Sequence, residues 1–170
     1  MTYYFLVLLL SFIIPFLFSF HSKLKFYKKF HVLVKSIPLA GIPFIIWDII
    51  FTKMSVWGFN GWHVSAHYIF SLPIEEILFF CIIPFCCVYT YYAIERYKVT
   101  IFKLKNWFYI NHFLSILLVF VALLNYENIY TFYCFIFCVV VINIEKFSKV
   151  RINYNYFYTV YILVFFPFLI

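Results

Sequence analysis

Six apolar runs divide this chain, at roughly 2–20, 32–52, 73–94, 107–124, 128–144 and 154–170, with short basic segments between most of them. A helix needs about 20 residues, with a range of roughly 17–25, to cross ~30 Å of hydrocarbon. Most of the runs are that long. Of the 170 residues, 67% are apolar and only 11% charged, whereas an ordinary soluble domain is about a quarter charged. The solvent for such a surface is lipid. Only helices and closed barrels satisfy their backbone groups there. The apolar residues come in runs and not in alternation, which selects helices. The expected fold is therefore all-α, a polytopic transmembrane helix bundle of about six spans in a lipid bilayer.

The net charge of +7 invites a nucleic-acid reading, which its distribution rejects. Lys23, Lys25, Lys28 and Lys29 fill loop 1, with Lys35 just inside the second run. Arg96, Lys98, Lys103 and Lys105 fill loop 3, and Lys146, Lys149 and Arg151 fill loop 5. Of the 13 basic residues, only Lys53 falls in an even loop. Positive charge gathers on the cytoplasmic side of membrane helices. Loops 1, 3 and 5 are thus expected in the cytoplasm and the N-terminus outside, in a cytoplasmic (inner) membrane. Residues 3–20 read as a retained helix, because no basic segment precedes them and no small-residue cleavage site follows.

An internal repeat is visible. Pro43-Phe44-Ile45-Ile46 in the second run is echoed by Pro167-Phe168-Leu169-Ile170 in the sixth, each after an apolar run and a Lys-rich loop. Runs 5 and 6 then correspond to runs 1 and 2. The expected organisation is a complete three-helix repeat over 1–95, a linking transmembrane helix over 96–125, and a partial second repeat of two spans over 126–170. The second copy has no counterpart of the third run. A truncated chain, or a separate subunit that supplies the rest, is the expectation.

Chemistry concentrates in the first repeat. Glu95 and Glu145 flank basic loops and Glu127 sits in a turn, as interfacial charges do. Asp48 is instead embedded in Ile46-Trp47-Asp48-Ile49-Ile50, and Glu75 and Glu76 open the third run ahead of Ile77-Leu78-Phe79-Phe80. Ionisable groups at such depth are costly and point to function. Pro73 fits the first position of a helix, which puts Glu75 where it favours the helix dipole. That accounts for one carboxyl and not two. Neighbouring residues point about 100° apart on a helix, so Glu76 looks elsewhere, over the stripe of Phe79 and Phe80. Asp48 ends run 2 on the side where run 3 begins and can approach the pair. A carboxyl among apolar walls and other carboxyls is pushed toward its neutral form, the form that protonates an alkene.

Between these acids lie Val56-Trp57-Gly58-Phe59-Asn60, then Trp62, His63, His67 and Tyr68. Trp62 and Tyr68 read as interfacial anchors, and Asn60 between two glycines as turn chemistry. His63 and His67 are four residues apart, but no third ligand is evident. Cys134 and Cys138 share that spacing, and no His or second Cys pair completes a metal site. They read as small core thiols.

These residues resemble a known family. Pro43-Phe44-Ile45-Ile46-Trp47-Asp48, Phe51-Thr52, Val56-Trp57-Gly58-Phe59-Asn60, Leu72-Pro73-Ile74-Glu75-Glu76, Phe79-Phe80 and Ile83-Pro84-Phe85 resemble the repeat of membrane-integral lycopene cyclases, the heterodimeric or fused type of bacteria, archaea and fungi. The match is strong over the first three runs and weak over the rest. The resemblance implies carotenoid biosynthesis: an isomerase (intramolecular lyase) that cyclises the ends of a linear, lycopene-like carotenoid to β-ionone-type rings without net redox change. It implies Glu75 and Glu76 as acid and base, Asp48 and Asn60 as orienting groups, and Trp57, Phe59, Phe79 and Phe80 as π-faces for the cation. It also implies a second cyclase subunit as partner if two acidic motifs are needed. No cofactor is expected, since the flavin-dependent cyclases carry a GxGxxG that is missing here. Two departures stand out. The family usually has Gly where Ser55 stands, and a Tyr-x-x-Gly pattern where His63-Val64-Ser65-Ala66 stands.

Other classes fit less well. An intramembrane glutamate protease uses an adjacent Glu pair but wants Arg at position 80, where Phe80 stands, and His motifs that His112 alone does not supply. A membrane prenyltransferase needs aspartate-rich motifs, and this chain has one Asp. A transporter or assembly subunit is the non-enzymatic alternative.

Overall fold

The computed structural model describes residues 2–144 and 152–165. Apart from two strands of two residues each, the regular structure is helical: α1 Tyr3–Phe18, α2 Phe30–Lys53, α3 Ile74–Tyr97, α4 Trp107–Leu124, α5 Ile129–Ile144 and α6 Tyr154–Phe165. A helix thus falls on each apolar run. Three stretches, Phe26–Lys53, Ile74–Tyr97 and Trp107–Leu124, are long and apolar enough to cross a bilayer. They support membrane association. Among the described residues, three of the six expected crossings meet that length and composition. α1 and α5 are apolar but have 16 residues each, about 24 Å at 1.5 Å per residue. α1 ends at Phe18 with Ser19 as its C-cap, whose N–H and hydroxyl both donate to the Pro15 carbonyl (3.0 and 2.7 Å). The chain then turns through loop 1, where Lys25 adopts a left-handed φ of 51°.

The chain divides into two compact units, residues 1–99 and 100–170. In the first, α3 packs on both α1 and α2. Near loop 1 an aromatic cluster joins all three helices. Phe26, Leu33 and Phe85 are buried there against Phe12, Phe16, Phe30 and Tyr92. The Phe26 ring lies 6.0 Å from that of Phe85 and 5.1 Å from that of Tyr92, and the Tyr92 hydroxyl donates to the Leu24 carbonyl (3.0 Å). Midway along α2, Gly41 faces α3. A Cβ there would lie 3.4 Å from the Phe80 carbonyl oxygen, so the two backbones approach closely.

α2 ends in a Schellman motif. Ser55 N–H donates to Thr52 O (3.1 Å) and Val56 N–H to Phe51 O (3.0 Å), with Ser55 at φ 57°. That left-handed conformation favours glycine, which explains physically why glycine would suit position 55. Before α3, Tyr68–Ile69 (β1) pairs antiparallel with Leu72–Pro73 (β2). Phe70 and Ser71 turn between them with φ of 51° and 73°. Both central residues are left-handed, as in the tight turns that suit the twist of a hairpin.

In the second unit α4 and α5 pack side by side, with Asn143 Nδ2 donating to Ser115 Oγ (3.0 Å). The Tyr158 ring of α6 stacks on Trp107 of α4 at 4.6 Å, and its hydroxyl donates to Asn111 Oδ1 (2.9 Å). Lys146, Lys149, Arg151 and the second Pro-Phe tetrad, 167–170, lie outside the described residues.

Candidate functional site

At the end of the first unit opposite its aromatic cluster, the start of α1, the start of α3 and the end of α2 bring Glu75, Glu76 and Asp48 together. The expected cap geometry shifts by one residue. Pro73 is held extended (φ −57°, ψ 146°) by its pairing with Tyr68, so it is the N-cap. Glu75 and Glu76 are then the second and third residues of α3. Both remain in the first turn, where the helix dipole favours negative charge.

The two neighbours have different surroundings. Glu75 is 1% exposed and accepts from three donors: Thr2 Oγ1 (2.8 Å), Ser65 N–H (2.8 Å) and Ser65 Oγ (2.9 Å). Such bonds offset the cost of burying a carboxyl. Thr2 serves twice, since its hydroxyl also caps α1 by accepting from Phe5 N–H (3.3 Å). Glu76 is half-buried, and its Oε2 accepts from the Tyr4 hydroxyl at 2.7 Å. The Tyr4 N–H in turn donates to the His63 carbonyl (3.3 Å), which ties the start of α1 to the loop before α3. None of these donors is a cationic side chain.

Asp48 is 4% exposed. Its Oδ2 is buried without a hydrogen-bond partner among the described residues. It lies within electrostatic reach of both Glu76 and the Tyr4 hydroxyl, and the Trp57 indole approaches its carboxyl. The same indole N–H donates to Thr52 Oγ1 (3.1 Å).

Aromatic rings surround this acidic group. Trp47 stacks on Phe51 at 5.0 Å and Phe51 on Trp57 at 5.3 Å. Phe44 stacks on Phe80 at 6.2 Å, and Phe79 meets Phe80 edge-on at 5.5 Å. Phe44, Trp47, Asp48 and Phe51 have the i, i+3, i+4, i+7 spacing of one helix face. Trp57 and Phe80 are thus brought into this aromatic framework, with Phe79 beside Phe80. Phe59 is half-buried in the loop, and no hydrogen bond or ring contact among the described residues ties it to the carboxyls. Asn60 is exposed and its Oδ1 accepts from Trp62 N–H (3.0 Å). It makes a local turn, and no hydrogen bond among the described residues joins it to the acids. His63 and His67 lie in the loop and not on a helix, so their spacing does not align them. The His63 ring instead meets Tyr3 edge-on at 5.8 Å.

Sequence reasoning missed Thr2, Tyr4 and Ser65. The signal that could have found the first two was topological: alternation of loops puts the N-terminus at the same end as loop 2, so polar groups opening α1 belong beside Glu75. Phe44, Trp47 and Phe51 enter the sequence reading only as carriers of the resemblance, although their spacing from Asp48 marks one face of α2.

A family model described as lycopene cyclase matches residues 1–94 of this chain. That stretch contains every residue of the acidic group and all its hydrogen-bond donors. No curated protein and no solved structure matches the chain.

Proposed function

Because this chain belongs to the lycopene cyclase family, we propose that its acidic group cyclises the ends of a linear, lycopene-like carotenoid to β-ionone-type rings. The supporting observation is the unequal tying of the adjacent pair: Glu75 is buried under three donors, while Glu76 is half-buried with one. Glu76 is the proton donor in this reading. Its proton adds to the terminal double bond of the polyene. The resulting cation is attacked by a neighbouring double bond, and a six-membered ring closes. A proton then leaves the carbon beside the new cation. The carboxylate left on Glu76 takes it back, so the acid is restored, and the buried Asp48 beside it raises the affinity of Glu76 for that proton. No electrons are gained or lost, so the chemistry balances as an isomerisation. Glu75 stays a fixed acceptor whose negative charge favours the cation.

The aromatic framework serves the same step. A cation over the face of Trp or Phe gains roughly 0.5–2 kcal/mol. Trp47, Trp57 and Phe80 are the proposed faces, with the buried Phe51 stacked against both indoles. All six helices cross the bilayer in this proposal, with loops 1, 3 and 5 cytoplasmic and the acidic end outside. The repeat 1–95 carries the chemistry in this proposal, 96–125 links, and 126–170 echoes the first two spans; a second cyclase subunit is the proposed partner.

The test is pigment analysis of lycopene-accumulating bacteria expressing this chain, with and without a subunit carrying the second acidic motif. Ring formation that is lost in Glu76→Gln supports the reading, and dependence on the partner identifies a shared enzyme. Absence of rings in both arms, with the protein present in the membrane, overturns it in favour of a transporter or assembly role.

A further inference from the structure

The adjacent carboxyls are reached by one short piece of chain. Thr2 and Tyr4 stand two residues apart at the start of α1. Thr2 takes Glu75 by its Oε1 at 2.8 Å, and Tyr4 takes Glu76 by its Oε2 at 2.7 Å. Glu75 and Glu76 diverge by about 100° on α3, so a single donor could not hold both. This first turn is itself fixed. Its backbone is tied to the loop by Tyr4 N–H on His63 O, and its cap is closed by Thr2 Oγ1 on Phe5 N–H. Tyr4 is half-buried, whereas the neighbouring Tyr3 is 70% exposed and contacts only His63 among the described rings.

We propose that the first turn of α1 is a positioning clamp for the acidic pair, in which Tyr4 holds Glu76 by Oε2 and so leaves Oε1 as the oxygen that delivers the proton. A carboxylic acid has one carbonyl-type oxygen and one hydroxyl oxygen. A phenol O–H donating to Oε2 makes Oε2 the carbonyl-type atom, and the proton then resides on Oε1. The same bond remains when the proton has left, and it then stabilises the carboxylate. Tyr4 keeps its own proton throughout and touches Glu76, not the polyene. It is a positioning residue. The role assigned to Oε1 rests on the cyclase reading, but the clamp itself does not.

Two measurements on the full chain separate these. The first is infrared spectroscopy of the protein in membranes, with the Glu76 carboxyl band identified by its loss in Glu76→Gln. Tyr4→Phe removes only the hydroxyl and is expected to move that band, while Tyr3→Phe leaves it in place. The second is turnover of linear carotenoid under conditions where the unaltered chain forms rings. Tyr4→Phe is expected to lower kcat by tenfold or more with KM unchanged, since the ring and the substrate contacts remain. Membrane level and thermal midpoint of each variant report on folding. A Glu76 band indifferent to Tyr4→Phe overturns the clamp whatever the activity. A band that moves with kcat unchanged overturns the role of Oε1. An unaltered chain that forms no rings with or without the partner subunit overturns the cyclase reading and Oε1 with it, and the infrared result then decides the clamp alone.

Discussion

Ser65 grips Glu75 through two atoms at once, its backbone N–H at 2.8 Å on Oε1 and its hydroxyl at 2.9 Å on Oε2. This two-point hold reaches both carboxyl oxygens from a loop ten residues earlier in the chain. Together with Thr2, it makes Glu75 a fully engaged acceptor in a region where unengaged polar atoms are costly.

Removing one of these donors is expected to destabilise the first unit. Ser65→Ala deletes the hydroxyl and leaves the N–H bond, so the loss should be about 1–3 kcal/mol. Thr2→Val should cost a similar amount and also uncap α1. Thermal unfolding in detergent measures both. A midpoint unchanged in both variants would mean that Glu75 is not held by this network.

Glu76→Gln is expected to reduce ring formation at least a hundredfold, in line with the roughly 10²–10⁴-fold contribution of a positioned acid or base. Its membrane level should stay normal, because Gln retains an oxygen to accept from Tyr4. Asp48→Asn is expected to slow the reaction as well, since it removes the charge that keeps Glu76 protonated. Carotenoid chromatography after equal expression checks both. Full activity of Glu76→Gln would remove Glu76 from the chemistry.

At position 55 the backbone is left-handed with φ 57°, which costs a non-glycine residue roughly 1–2 kcal/mol. Ser55→Gly is therefore expected to raise stability by about 1 kcal/mol, after subtracting its entropy cost in the unfolded chain. A higher thermal midpoint with unchanged activity is the expected result. A lower one would show that Ser55 makes a stabilising contact.

Gly41 sets the spacing of α2 and α3. A Cβ placed there meets Phe80 O at 3.4 Å and Phe80 Cβ at 3.7 Å, which is ordinary contact. Gly41→Ala is expected to be tolerated. Gly41→Ile should cost about 1–3 kcal/mol as overpacking and slow ring formation, because Asp48 sits two turns further along α2. Comparing the two variants by thermal midpoint and pigment yield tests the spacing.

How far the sequence could be read follows from the range of each interaction. The helices were legible because apolar runs of this length have few alternatives in lipid. Asp48, Glu75 and Glu76 were legible because a carboxyl inside such a run is conspicuous. The donors were not. Thr2 and Glu75 are separated by 73 residues, and nothing local to Thr2 distinguishes it from an ordinary cap. The start of α3 was misplaced by one residue because the strand pairing of Tyr68 with Pro73 overrides the preference of proline for the first helical turn. The orienting role of Asn60 comes from the family resemblance, whereas the turn chemistry read from its two flanking glycines is what its side chain displays.

Among the described residues, the side chains seen to hold the carboxyls lie between Thr2 and Glu76, and the last helix of the first unit ends at Tyr97. On a ribosome, at about 5–20 residues per second, the parts of the acidic group are complete seconds before the last helix has been made. The unit that holds the acidic group can therefore close on itself while the remainder is still being made. An error in the later helices reaches an acidic group that has already formed.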